Sequence, residues 1–208
     1  REKIDFCIVG EPTNPNKLGE MIKIGRRGSL SGLIRISGTQ GHVAYPHLVN
    51  NPINTLVAVC KKLKEKKLDW GNKNFQPSNL EFTSINVDNK ATNVIPASAR
   101  AQFNIRFNNL HTSSSLKKKI SSVVKNISKK NKCKFRIDFH VSGESFLTKP
   151  NDTIYMAKKI IKKITKITPK FSTTGGTSDA RFIRKISPCL EFGLVNKTMH
   201  KIDECVSL

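Results

Sequence analysis

The run Ser29-Leu30-Ser31-Gly32-Leu33-Ile34-Arg35-Ile36-Ser37 places Leu30, Gly32, Ile34 and Ile36 at every second position, among mostly polar neighbours. A period of two marks a strand with one buried face. Asn51-Pro52 then opens a helix, with Asn as cap and Pro at the first helical position, and Ile53, Leu56, Val57, Cys60 and Leu63 form its apolar stripe. Residues 80–87 and 97–107 read as two further strands, joined through Asp88-Asn89-Lys90. A second helix starts near Thr112 and carries Leu116, Ile120, Val123, Val124 and Ile127 at helical spacing, and residues 134–141 alternate as a last strand. The order β-α-β-β-α-β over 28–142 predicts a ferredoxin-like unit that can fold as its own domain.

What flanks this unit differs from it. Ile4-Asp5-Phe6-Cys7-Ile8-Val9 reads as a buried strand. After Pro150 come a helix carrying Ile154, Ala157, Ile160, Ile161 and Ile164, a glycine-rich turn, and a short strand near Cys189. The predicted class is α/β: residues 1–27 and 143–208 form parts of one domain, into which 28–142 is inserted. A chain of 208 residues with 37% hydrophobic content can bury one good core or two small ones. No apolar run reaches the roughly 18 residues of a membrane span, and no basic-then-apolar leader stands at the start. Because strand signal begins within the first ten residues, after Arg1, a natural amino terminus is expected upstream.

The formal net charge is +22. Taken alone it suggests nucleic acid or an anionic surface. The lysines, however, cluster on helical stretches such as Lys117-Lys118-Lys119 and Lys158-Lys159, interleaved with Ile and Asn, which favours a plain basic surface. Two Tyr and one Trp leave little for base stacking, so neither a nucleic-acid nor a membrane partner is expected. Five widely spaced cysteines, without any C-x-x-C pair, fit a reducing cytoplasm and are expected to pack as small apolar groups.

Several short runs suit chemistry and also have plainer readings. Glu11, in Gly10-Glu11-Pro12-Thr13, and His200, in Met199-His200-Lys201, are candidate metal ligands near opposite ends of the chain. Zinc needs at least three protein donors, so the others are expected outside the chain. His42 and His47, in Gly41-His42-Val43-Ala44-Tyr45-Pro46-His47, fall on a loop where an imidazole can donate to a developing oxyanion; by spacing alone they read as surface histidines. The turn Thr174-Gly175-Gly176-Thr177-Ser178-Asp179-Ala180-Arg181 offers backbone N–H groups and a guanidinium to a carboxylate or phosphate, and reads equally as a helix-capping turn. Arg26, Arg27 and Arg106 suit bidentate carboxylate binding, though most arginines are simply solvated. Asn93, in Asn93-Val94-Ile95-Pro96, either fixes a turn or holds a substrate carbonyl.

Taken in order, Gly10 to Thr13, Gly25 to Ser29, Gly41 to His47, Asn93 to Pro96, Gly175 to Arg181 and His200 to Glu204 resemble the dinuclear zinc metallopeptidase family that holds aminoacylases, acetylornithine deacetylases and zinc carboxypeptidases. The similarity covers essentially the whole chain. Gly38-Thr39-Gln40-Gly41-His42-Val43-Ala44-Tyr45-Pro46-His47 and Gly175-Gly176-Thr177-Ser178-Asp179 look like its succinyl-diaminopimelate desuccinylase branch. The resemblance implies a zinc-dependent amidase of diaminopimelate and lysine biosynthesis, cytoplasmic, with two Zn2+ per subunit and cobalt as a substitute. Glu11 would bind one zinc and His200 the other, while the remaining His, Asp and Glu ligands and the Glu general base would belong to a preceding segment. His42 would reach the neighbouring subunit's site from the inserted lid and stabilise the tetrahedral intermediate, which makes a homodimer through the lid part of the mechanism. Asn93 would hold substrate, and Arg26, Ser29, Tyr45, Arg106, Gly176, Thr177 and Arg181 would bind the carboxylates of a small polycarboxylate. The fragment alone is expected to be inactive. Ala180, where Gly is usual, Asp203, where Asn is usual, and Thr92, which is Asn in some relatives, depart from the pattern without removing a ligand.

Overall fold

A computed structural model describes residues 3–206. In chain order its elements are β1 (Cys7–Val9), β2 (Met21–Lys23), β3 (Gly25–Arg26), β4 (Gly28–Ser37), β5 (Gly41–His42), α1 (Pro52–Lys64) and β6 (Asn79–Asn86). There follow β7 (Val94–Ile95), β8 (Ser98–Phe107), α2 (Ser113–Lys130), β9 (Lys134–Gly143) and β10 (Phe146–Leu147). The last are α3 (Asp152–Thr165), β11 (Lys170–Ser172), α4 (Ala180–Ile183) and β12 (Cys189–Glu191). The chain divides into two compact units. One holds Gly28–Gly71 and Pro77–Glu144; the other holds the described residues through Arg27, the short stretch Asn72–Gln76, and those from Ser145 onward. Asn72–Gln76, inside the 28–142 range expected for the lid, thus belongs with the second unit, where Thr173 donates its hydroxyl to the Asn74 carbonyl.

The lid unit is a four-stranded sheet in the order β6-β8-β4-β9, every pair antiparallel, with α1 and α2 packed on one face. This is the ferredoxin-like order. Leu30, Ile34 and Ile36 of β4 and Ala101, Phe103, Ile105 and Phe107 of β8 meet Leu56, Val59, Leu116, Ile120 and Val124 from the helices in one buried cluster. Burying such side chains contributes about 1.5–3 kcal/mol each. Gly32 lies directly opposite Phe103, whose ring fills the space a Cβ would take. Asn51 caps α1 by accepting from the Ile53 amide at 2.9 Å, and Thr112 and Ser115 form a reciprocal capping box on α2. Within α1, Ile53, Leu56, Cys60 and Leu63 of the expected stripe pack on this core, whereas Val57 is exposed and Thr55 and Val59 are buried. From Leu56, positions three and four further on share its face, while Val57 is turned about 100° away.

The second unit is built on a mixed four-stranded sheet ordered β1-β12-β2-β11, with β1 parallel to β12 and β2 parallel to β11, plus the antiparallel pair β3-β10. Ile22, Ile24, Ile154 and Leu190 form its main core. The expected buried strand 4–9 is shorter and lies at the sheet edge, with Ile4 and Ile8 exposed, because only β12 covers it. Asn51's counterpart at α3 is Asn151, which accepts from the Ile154 amide at 3.0 Å. Along α3, Ile154, Ala157 and Ile161 of the expected stripe pack on this core, while Ile160 and Ile164 are exposed. All five cysteines are free, and Cys205, expected to be packed, is exposed. Among the described residues no helix is long and apolar enough to cross a membrane.

Candidate active site

In the lid unit, β5 pairs with β7, so that His42 faces Val94, and the Val43 amide donates to the Asn93 carbonyl at 3.1 Å. His42 and Asn93, read from separate motifs, are thereby neighbours. The Ala44 amide donates to His42 Nδ1 at 3.1 Å, which leaves the imidazole proton on Nε2 when the ring is neutral. The Tyr45 ring lies 5.9 Å from that of His42 and 6.4 Å from that of His47. Ser29 and Arg106 are directly paired across β4 and β8, and Asn104 donates to both Ser29 and Ser31. These polar groups share the face of β4 and β8 opposite to Leu30 and Ile105, an arrangement that follows from strand alternation.

In the other unit, Glu11 follows β1 where the chain runs beside residues 192–195: Phe192 donates to the Val9 carbonyl at 3.1 Å, and Asn14 Nδ2 to the Gly193 carbonyl at 2.6 Å. Burial raises the pKa of Glu11, Glu191 and Asp179 raise it further, and Arg26 opposes them. A half-buried carboxylate held among other carboxylates suits a cation. His200 is exposed on a turn with φ 61°, a left-handed conformation uncommon for a histidine. The two donors are of the kinds zinc takes, but among the described residues no group of three His, Cys, Asp or Glu side chains forms a ligand set. They fit in kind and fall short in number.

The glycine turn is tied to the sheet by charge. Arg26, on β3, is buried, donating from Nε to Glu191 Oε2 at 2.8 Å, from Nη2 to the same oxygen, and from Nη1 to the Thr174 carbonyl at 3.0 Å. The guanidinium expected to face a substrate therefore spends three of its donors inside the protein. Gly175 has φ 101°, and a Cβ there would strike Arg26 Nη1; Gly176 is open, with nothing near the place a side chain would occupy. Arg181 lies on the four-residue α4, its guanidinium 4.5 Å over the Phe182 ring and its buried Nε unpaired. Ala180, in the position where Gly is usual, is fully buried.

Two further charged groups escaped the reading of the sequence. Lys23, on β2, is buried and donates to the hydroxyls of Ser172, at 3.1 Å, and Thr174; burial first and the Arg26 charge second lower its pKa to about 8, against the pull of Glu191. Glu191 is 1% exposed at the end of β12. A lone acid inside Cys189-Leu190-Glu191-Phe192 was the available signal, since a buried carboxylate needs a partner.

A family profile described as a peptidase dimerisation domain, M20_dimer, matches residues 24–132. The chain belongs to the M20 peptidase family. A succinyl-diaminopimelate desuccinylase of Pelagibacter ubique is 66% identical over 208 residues, covering all of this chain and 54% of that protein. One from Parvibaculum lavamentivorans is 53% identical over 203 residues, covering 98% and 51%. The chain thus spans about half the length of these M20 relatives. Among solved structures, a tripeptidase from Staphylococcus aureus matches with a TM-score of 0.78 at 16% identity, over 95% of this chain and 50% of that one. The aminopeptidase PepT of Bacillus cereus matches with 0.74 at 17%, over 90% and 48%. At such identities these two share the fold.

Proposed function

We propose that this chain forms part of a zinc-dependent amidase that hydrolyses N-succinyl-LL-2,6-diaminopimelate to succinate and LL-2,6-diaminopimelate, acting in the cytoplasm as a homodimer joined through the lid. The observation that carries the reading is 66% identity along the whole chain to a relative of that name. Free thiols and a match to a dimerisation domain support location and assembly.

In this reading Glu11 and His200 each hold one of two zinc ions, and a segment present in the longer relatives supplies the other ligands and the general base. Bound zinc supplies Lewis acidity toward the amide carbonyl and lowers the pKa of an attacking water. His42 donates from Nε2 to the oxygen where negative charge develops, a contribution on the order of 100-fold to rate. Asn93 holds the substrate amide beside it, and Tyr45, its ring 5.9 Å from the imidazole, binds a substrate carboxylate. Ser29 and Arg106 on the lid unit bind substrate carboxylates, as do Gly176, Thr177 and Arg181 on the other unit, where Arg26 borders the glycine turn with the donors it has left.

The test is a chimera in which this chain replaces the matching segment of the Pelagibacter ubique protein. It is expected to release succinate from N-succinyl-LL-2,6-diaminopimelate, to stop when chelated and to recover with zinc, whereas the 208-residue chain alone stays inactive. A preference for N-acetylornithine would overturn the substrate and keep the family. A folded chimera that hydrolyses neither amide would overturn the enzymatic reading.

A further inference from the structure

The turn between β11 and α4 is held at both ends by one buried carboxylate. Glu191 Oε1 accepts from the Ser178 hydroxyl, and Oε2 accepts from Arg26, which in turn donates from Nη1 to the Thr174 carbonyl at 3.0 Å. The path from Thr174 through Arg26 and Glu191 to Ser178 therefore closes a ring around Gly175, Gly176 and Thr177. All three closing groups are withdrawn from water: Arg26 is 8% exposed, Glu191 1% and Ser178 5%. Charge-assisted hydrogen bonds in such surroundings are short and directional. Gly175 completes the device, because the Arg26 guanidinium occupies the place of its missing side chain and its φ of 101° is one that glycine adopts freely.

We propose that Glu191 is a positioning residue for the carboxylate cradle: through Arg26 and Ser178 it holds the backbone N–H groups of Gly176 and Thr177 in one arrangement before the dicarboxylate arrives. The inference rests on the reading of this turn as the place that receives a substrate carboxylate. Without the ring, the glycine pair would have to be ordered at the moment of binding, and that ordering would weaken the affinity.

The test titrates the 208-residue chain with succinate, following binding by calorimetry and the Gly175, Gly176 and Thr177 amides by NMR, beside thermal unfolding to confirm that each variant is folded. Glu191→Gln is expected to broaden these amide signals and to weaken succinate binding by at least roughly tenfold, the factor that corresponds to losing one good hydrogen bond. If Glu191→Gln does not fold, Ser178→Ala opens the ring while leaving the ion pair, and is expected to weaken binding by roughly threefold to tenfold. Folded variants that lose thermal stability but bind succinate as tightly as the wild type would overturn the positioning role, because a merely structural pair predicts that result. A wild-type chain that binds no succinate, with its turn amides already sharp, would overturn the cradle reading while leaving the ring itself intact.

Discussion

Asp69 Oδ2 lies 3.1 Å from His111 Nε2 within the lid unit, the two side chains 8% and 18% exposed. The same carboxylate accepts from the amides of Gly71 and Ser78 and from Asn108 Nδ2 at 2.7 Å, so it gathers the loop before β6 and the approach to α2 onto one charge. Burial alone would raise its pKa, but the donors from Ser78, Gly71 and Asn108 outweigh burial and leave it below the ordinary aspartate value. A carboxyl with a lowered folded pKa contributes stability that is present above its unfolded pKa and lost as pH falls through the folded one. Urea unfolding between about pH 5 and pH 2 is therefore expected to show a loss that Asp69→Asn lacks. Asp69→Ala, which orphans several donors at once, is expected to cost about 3 kcal/mol at neutral pH.

Lys23 predicts a slope of the same sign in the alkaline range. Its folded pKa of about 8 lies below the ordinary lysine value, so the unfolded chain holds more protons above that point, and stability rises as pH increases from about 8 toward 10. Lys23→Met is expected to flatten that rise and to stabilise the neutral protein by on the order of 2 kcal/mol. Thermal unfolding of both proteins across this range measures the difference.

Gly38 has no room for a side chain. Its amide donates to the Ala97 carbonyl at 2.9 Å, and an added Cβ would collide with the backbone carbonyl of Asn50, which also accepts from Thr39 at 3.1 Å. Because backbone rather than a rotatable side chain stands in the way, Gly38→Ala is expected to cost about 2–4 kcal/mol. Amide exchange in residues 39–50, the loop that carries His42, is expected to quicken.

The neutral His42 ring is expected to carry its proton on Nε2, because Ala44 donates to Nδ1. Nitrogen chemical shifts of the labelled ring check this directly. In the chimera, His42→Ala is expected to reduce kcat by about 100-fold with a smaller change in KM, since the lost donor acts where charge develops.

Local signals proved the most legible. Asn51-Pro52 at the start of α1, Thr112 at the start of α2 and the alternation along β4 each depend on neighbours within a few residues, so the sequence shows them directly. The same locality explains the slip at Val57, where a stripe read without its partner helix is uncertain by one position around the axis. His42 and Asn93 were each visible as motifs, but their adjacency comes from two-residue strands too short to leave a period.

What the sequence by itself determined is the ferredoxin-like order of the lid and the family to which its motifs point, because hydrogen-bonded periods and caps repeat over short distances. Only the tertiary structure decided what Arg26 and Glu191 do. They stand 165 residues apart, and nothing local distinguishes a solvated arginine from a buried one. Removing both charges from water makes their pairing obligatory, and that desolvation exists only once β3, β12 and the glycine turn have come together.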